Sequence, residues 1–172
     1  MPAPFAHESE RHHHKITLRN SSAHTIQVFV TKYSNSDGSD DWFELQPNAV
    51  EQWHRKNWEC LVVKDRGNRA GVYLSEGSTI RYQGQGKQNN DHLFQTFNLQ
   101  NGVHFTNNSR EYVEVFMSNF SGGCDEWFGV GPGQSDHWGR DGWDVLVVRR
   151  QNGDRFGRYV HSGSSIQYYG PV

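Results

Sequence analysis

The chain has 172 residues, with 17 Lys and Arg against 19 Asp and Glu for a formal net charge of −2. With no Lys/Arg stripe either, it lacks the basic surface that nucleic acid phosphates demand. It nowhere holds the roughly 18 consecutive apolar residues of a membrane helix. The opening MPAPFAHESERHHHK lacks the apolar run of a signal peptide, so the expected location is cytoplasmic, with any release proceeding without a leader.

Residues 1–15 read as a flexible N-terminal arm with two prolines and mixed charge. The run His12-His13-His14 within it offers good but unselective metal ligands; because nothing like it recurs later, no metal or other cofactor is assigned. From Ile16 the pattern alternates with period two. Ile16 and Leu18, the turn-like Asn20-Ser21-Ser22, then Ile26, Val28 and Val30 predict two half-buried strands paired as a hairpin. A polar loop, Ser34–Asp41, follows. Its Asp37, Asp40 and Asp41 have the oxygens for a calcium ion but lack the full pattern of alternating ligands, and an Asp/Gly cluster is ordinarily a turn. Trp42, Phe43 and Leu45 predict a third strand stopped by Pro47.

The stretch Asp41–Val63, DWFELQPNAVEQWHRKNWECLVV, returns as Glu126–Val148, EWFGVGPGQSDHWGRDGWDVLVV, at a constant offset of 85. The chain is a tandem duplication. The polar segment around Trp53 predicts a turn, and the run ending in Leu61-Val62-Val63 predicts a strand apolar on both faces, placed mid-layer. Asp65-Arg66-Gly67-Asn68 and Gln151-Asn152-Gly153-Asp154 are hairpin turns, the Asn-Gly suiting type I′. Two further strands per copy hold Tyr73 and Ile80, or Tyr159 and Ile166.

The predicted fold class is all-β: a tandem duplication of a roughly six-stranded antiparallel sandwich or barrel unit, the copies in a pseudo-two-fold relation. The first repeat spans 16–84 and the second 103–172. Between them, 85–102 is a linker whose Leu93, Phe94, Phe97 and Leu99 are apolar enough to dock. Each unit is small for a lone core. Cys60 and Cys124 fall at unrelated positions, so no disulfide framework compensates; six Trp, ten Phe and seven Tyr supply the bulk instead.

No catalytic signature is present, and no histidine recurs in both copies, so the chain does not read as an enzyme. What recurs is Trp42/Trp127, Trp53/Trp138, Trp58/Trp143, Arg55/Arg140 and Asp40/Asp125. Indole faces stack on sugar rings while Arg and Asp bond hydroxyls, which fits an apolar surface with a few aimed polar groups. Trp42/Trp127 and Trp58/Trp143 adjoin apolar strands and read as core. Trp53 and Trp138 sit among polar neighbours, so the candidate ligand-binding set is Trp53, Arg55, Trp138, Arg140, Asp40 and Asp125. An alternative is that each Arg merely stacks on its Trp. Two copies imply two similar sites and avidity.

The strand-turn-strand opening, with Ile26-Gln27-Val28 and Trp42-Phe43, resembles small cytosolic β proteins of fungal fruiting bodies, the lectins and aegerolysin-type lipid binders. That resemblance implies non-catalytic recognition or defence through glycans or membrane lipids. Aegerolysin-like proteins are single-unit while this chain is duplicated, so no binding residue carries over. The expected partner is a glycan or glycoconjugate. Alternatives are a lipid headgroup at a membrane surface or self-assembly of a structural β protein, and a homodimer is compatible with all three.

Overall fold

The structure is a computed structural model that describes residues 3–35, 37–84, 94–98 and 101–171. It is all-β: every regular element among the described residues is a strand, sixteen in total, arranged in four four-stranded sheets. The chain divides into two compact units, Met1–Asn89 and Asn90–Val172.

In the first unit one sheet has the order β1 (Phe5–Arg11), β8 (Ser78–Tyr82), β2 (Lys15–Asn20), β5 (Val50–His54). The other runs β4 (Phe43–Leu45), β3 (Ile26–Val30), β6 (Glu59–Asp65), β7 (Asn68–Leu74). Because side chains alternate along a strand, each sheet turns one apolar row inward. Ile16, Leu18 and Ile80 from the first sheet meet Ile26, Val28, Val30, Leu61, Val63 and Leu74 from the second in one sealed core. This is a sandwich.

The second unit repeats the plan with β13 (Ser135–Trp138), β10 (Val103–Asn107), β16 (Ser164–Tyr168) and β9 (Phe94–Asn98). Its partner sheet is β12 (Trp127–Val130), β11 (Val113–Met117), β14 (Trp143–Arg150) and β15 (Arg155–His161). Its core joins Val103, Phe105 and Ile166 to Val113, Val115, Met117, Leu146 and Val148.

Four expectations need correction. Residues 5–11 form strand β1, pairing antiparallel with β8 from Phe5↔Tyr82 onward, where an arm was expected. Its counterpart β9 lies inside the expected linker, pairs with β16, and places Phe94 in the second core. Residues 1–2, the linker stretch 85–93 with Leu93, and Leu99 lie outside the described residues. The segment around Trp53 is strand β5 rather than a turn, so each unit has eight strands where six were expected. Finally, β2 and β3 do not form a hairpin: β2 pairs with β5 and, in parallel, with β8, while β3 pairs with β4 and β6. The apolar row of each therefore faces the other across the core.

The crossing from one sheet to the other is fixed by a buried asparagine. Asn20 Nδ2 donates to the carbonyls of His24 (2.8 Å) and Leu45 (2.9 Å), and its Oδ1 accepts from the amide and hydroxyl of Ser22. Asn107 repeats this with Glu111, Val130 and Ser109. All of the amide's hydrogen-bonding capacity is thereby used at a fully buried position.

The hairpin turns differ as their lengths require. Arg66 and Gly67 both have positive φ (48° and 85°), as a two-residue type I′ turn needs. In the longer second copy, the positive φ falls on Gly153 (92°) and Asn152 is not so turned, so the type I′ geometry belongs to the Arg-Gly copy.

Candidate functional site

The six residues expected to bind a ligand do not form a surface. Trp53 and Trp138 are each 6% exposed and belong to the two cores. Each meets a phenylalanine edge-on, Phe43 at 6.3 Å and Phe128 at 5.9 Å between ring centroids. Polar neighbours misled because β5 is an edge strand: Val50, Glu51, Gln52 and His54 are exposed, and Trp53 alone is buried.

Arg55 and Arg140 are buried as well, 2% and 3% exposed, and neither stacks on its neighbouring indole. Arg55 Nε donates to Thr31 O at 2.7 Å, Nη1 to His54 O at 2.8 Å and Nη2 to Ser39 O at 2.8 Å. Arg140 reproduces the set on Ser118 O (3.1 Å), Gly139 O (3.0 Å) and Cys124 O (2.7 Å). Each guanidinium also faces a fully buried carboxylate four residues on, Glu59 at 3.8 Å and Asp144 at 3.4 Å. Glu59 accepts from the Thr31 hydroxyl, the amides of Tyr33 and Ser34, and the Ser34 hydroxyl. Asp144 does the same with the Ser118 and Ser121 hydroxyls and the Phe120 amide.

The pair is a staple. The carboxylate holds the start of the loop between the third and fourth strands of each unit, and the arginine holds its end. A glycine permits the close approach. A Cβ on Gly38 would stand 2.5 Å from Arg55 Nη1, and one on Gly123 2.0 Å from Arg140 Nη1, with Gly123 also at φ +88°. Burial pushes both carboxyl groups up, against the opposing pull of their hydrogen bonds. Sealed as they are, Glu59 and Asp144 have no access to a substrate.

Asp40 pairs with Lys32 at 3.7 Å, and Asp125 is half-buried. Asp37, Asp40 and Asp41 do not converge on a common point among the described residues.

Trp42, Trp58, Trp127 and Trp143, read from sequence as core, are the half-buried indoles. They are already engaged. Trp42 packs against Phe29 (5.4 Å) under the Lys64 ammonium (3.6 Å), and Trp127 against Phe116 (5.5 Å) under the Arg149 guanidinium (4.0 Å). Trp58 has Tyr33 and Tyr73 at 5.6 and 6.0 Å; Trp143 has Phe120 and Tyr159 at 5.1 and 6.1 Å.

A groove of about 500 Å³ in the second unit was not anticipated. Asn108, Arg110, Glu111 and Tyr169 line it, with Gly170 and Pro171 at its end. Tyr169 is 45% exposed. The loop carrying the polar groups is held from beneath by Asn107, and Glu111 is fixed by Arg150 Nε at 2.6 Å. Asn108 donates to Gln167 Oε1. A Cβ on Gly170 would lie 3.1 Å from Ser109 Cβ, so the glycine lets the tail pass close to the loop. In the first unit, offsets of 87 and 86 place Ala23 opposite Arg110 and Gln83 opposite Tyr169.

No family model matches the chain, and no curated protein matches it. Among solved structures, the chaperone CupB2 of Pseudomonas aeruginosa is 12% identical over 91% of this chain and 93% of that one, with a TM-score of 0.22. A likeness that slight carries no argument about fold or function.

The groove has the features that sequence reasoning sought at Trp53. An exposed tyrosine borders an amide, a carboxylate and a guanidinium whose loop is held from beneath. Its signal in the sequence was the pair Tyr168-Tyr169 at the end of a strand. Alternation sends the first ring into the core, where Tyr168 is fully buried, and the second outward.

Proposed function

We propose that this chain is a non-catalytic carbohydrate-binding protein whose site is the groove beside Tyr169. The observation that carries the reading is the exposed Tyr169 ring bordering polar groups on a loop that Asn107 holds in place. An exposed aromatic face offers an apolar bed for the C–H face of a pyranose at low entropic cost, and preset hydrogen-bonding groups give direction. Arg110 and Asn108 supply donors and Glu111 an acceptor for ring hydroxyls.

The site is single. Ala23 and Gln83 leave the first unit without the guanidinium and the ring, so binding is monovalent per chain, and the two-site avidity expected from the duplication is not part of this proposal.

The test is binding of the full chain to a glycan array, followed by titration of the best glycan against Tyr169→Ala and Arg110→Ala. Both residues are exposed, so both variants keep the fold. Loss of glycan binding in Tyr169→Ala supports the reading. Undiminished binding in both variants, or no glycan bound by the parent chain, refutes it. Liposome association that persists without any glycan headgroup would assign the groove to lipid instead.

A further inference from the structure

We propose that His13, His14 and Glu76 form a binding site for a late first-row divalent cation, zinc foremost. The site is independent of the Tyr169 groove. Two imidazoles and one carboxylate are the donor set that such ions take, with coordination positions left open to solvent.

The spacing fits the ion. Donor atoms at about 2.0–2.1 Å from one tetrahedral zinc stand roughly 3.3 Å apart. His13 Nδ1 and His14 Nδ1 each lie 3.3 Å from Glu76 Oε1. One ligand atom from each residue falls within 4.8 Å of the other two.

Consecutive residues of an extended strand point to opposite faces, so adjacent histidines seldom converge. Here the chain breaks that alternation. His14 has φ 57°, in the left-handed region where non-glycine residues are uncommon, and its ring comes to 3.7 Å from that of His13. Backbone strain of this kind persists where the surroundings enforce it. They do so here: His12 N donates to Gly77 O (3.1 Å), Lys15 N to His12 O (3.0 Å) and Arg55 N to His14 O (3.0 Å). The His14 amide donates to Glu76 Oε1 at 2.5 Å.

The turn between β1 and β2 is thereby locked to the turn between β7 and β8, and the three donors are positioned before any ion arrives. Arg11, the nearby cation, donates to the Glu76 carbonyl at 2.6 Å. An ionised carboxylate has about four lone-pair positions, so the bond from His14 leaves Glu76 free to ligate. In the second unit Ser162 stands where Glu76 does, at an offset of 86. Its hydroxyl accepts from the Gly102 amide at 3.2 Å. The turn is kept there without the ligands, so the stoichiometry is one ion per chain.

The experiment titrates the metal-free full chain with Zn²⁺ by calorimetry, and with Co²⁺ by its visible absorption, which reports the ligand field. The expected result is saturation at one ion per chain with an imidazole-containing, low-coordinate Co²⁺ spectrum. Glu76→Gln keeps an acceptor for the His14 amide and removes the charge. It should weaken binding by at least the roughly 10–100-fold that losing a mere supporting partner costs. His13→Ala, at a side chain 81% exposed, carries the same test should Glu76→Gln fail to fold. Absence of stoichiometric binding overturns the proposal. Binding that both variants retain overturns it too, assigning the ion to other histidines among the ten in the chain.

Discussion

Truncating Arg55 to alanine separates a structural from a ligand-binding role. The side chain is 2% exposed, donates to the carbonyls of Thr31, His54 and Ser39 and, at 3.5 Å, to that of Val30, and is the cation beside a fully buried Glu59 carboxylate. Removing one partner of a buried ion pair costs about 3–5 kcal/mol, because the other charge is stranded. The carbonyls of His54 and Ser39 are near enough to the surface for water to replace the guanidinium; that of Thr31 is buried and is not rescued. We therefore expect the low end of the range or above, against the roughly 5–15 kcal/mol of a whole domain.

Hydrogen exchange read by mass spectrometry resolves the two units. Amides of β3 and β6 should lose protection by about two to three and a half powers of ten, at 1.4 kcal/mol per decade, while those of β11 and β14 supply a comparison within the same molecule. Arg55→Lys, which keeps the charge but loses the planar fork, should fall between the parent and Arg55→Ala. Arg140→Ala should reverse the pattern. A surface arginine reserved for a ligand would change stability by no more than about 0.5 kcal/mol. Protection that falls less than tenfold in both alanine variants would refute the staple.

Two further outcomes follow from burial. Tyr82, buried and donating to Asp65 at 2.8 Å, and Tyr168, also buried, both have phenols pushed up, Tyr168 to about 12. A raised folded-state value means that their contribution is intact below the ordinary value of 10 and is lost as pH rises through the folded value. Stability should therefore fall between pH 10 and 12, and absorbance titration at alkaline pH should show two of the seven tyrosines ionising together with loss of the β-sheet signal. Ionisation of all seven ahead of unfolding would contradict this. Cys60 is buried, with its thiol raised by desolvation, while Cys124 is exposed, so a thiol reagent should label one cysteine in the native chain and two after denaturation; prompt labelling of both without denaturant would show that β6 is not sealed.

The duplication and the inward rows Ile26, Val28, Val30 and Val113, Val115, Met117 were legible because they depend only on a fixed offset and on period two. Strands β1 and β9 were not. Phe5 and Phe94 occupy matching places, each pairing with the tyrosine that ends the unit's last strand, yet they precede Ile16 and Val103 by different distances, 11 and 9 residues. The unequal turn hides the correspondence. The indoles were misassigned for a related reason. Proximity to an apolar strand says nothing about which face a residue takes: Trp127 and Trp143 are the half-buried first residues of β12 and β14, and Trp42 and Trp58, also half-buried, immediately precede β4 and β6. The staple did leave a mark, an Arg followed four residues later by an acid, Arg55–Glu59 and Arg140–Asp144. Its arginines suggest ligand chemistry in company with Asp40 and Asp125, because a buried charge pair and a binding pair use the same residue types, while Glu59 and Asp144 sit unnoticed at the head of apolar strands.

Repetition within one chain thus marks what the fold requires: Asn20 and Asn107, Arg55 and Arg140, Glu59 and Asp144 are sealed and satisfied in both copies. A ligand has to reach its site, and the residues that the two proposals above assign to one are those in which the copies differ. Tyr169 replaces Gln83 and Arg110 replaces Ala23, while Glu76 gives way to Ser162. The shared residues set the two sandwiches, and the unshared ones, on loops and turns that the shared residues hold in place, are where chemistry distinguishes one unit from the other. A chimaera tests this directly. Ala23→Arg with Gln83→Tyr places the groove's ring and guanidinium on the Asn20-anchored loop of the first unit. It should raise glycan stoichiometry from one to two per chain if anchoring and these two side chains suffice, and a stoichiometry that stays at one would show that the groove needs more of the second unit than the residues in which the copies differ.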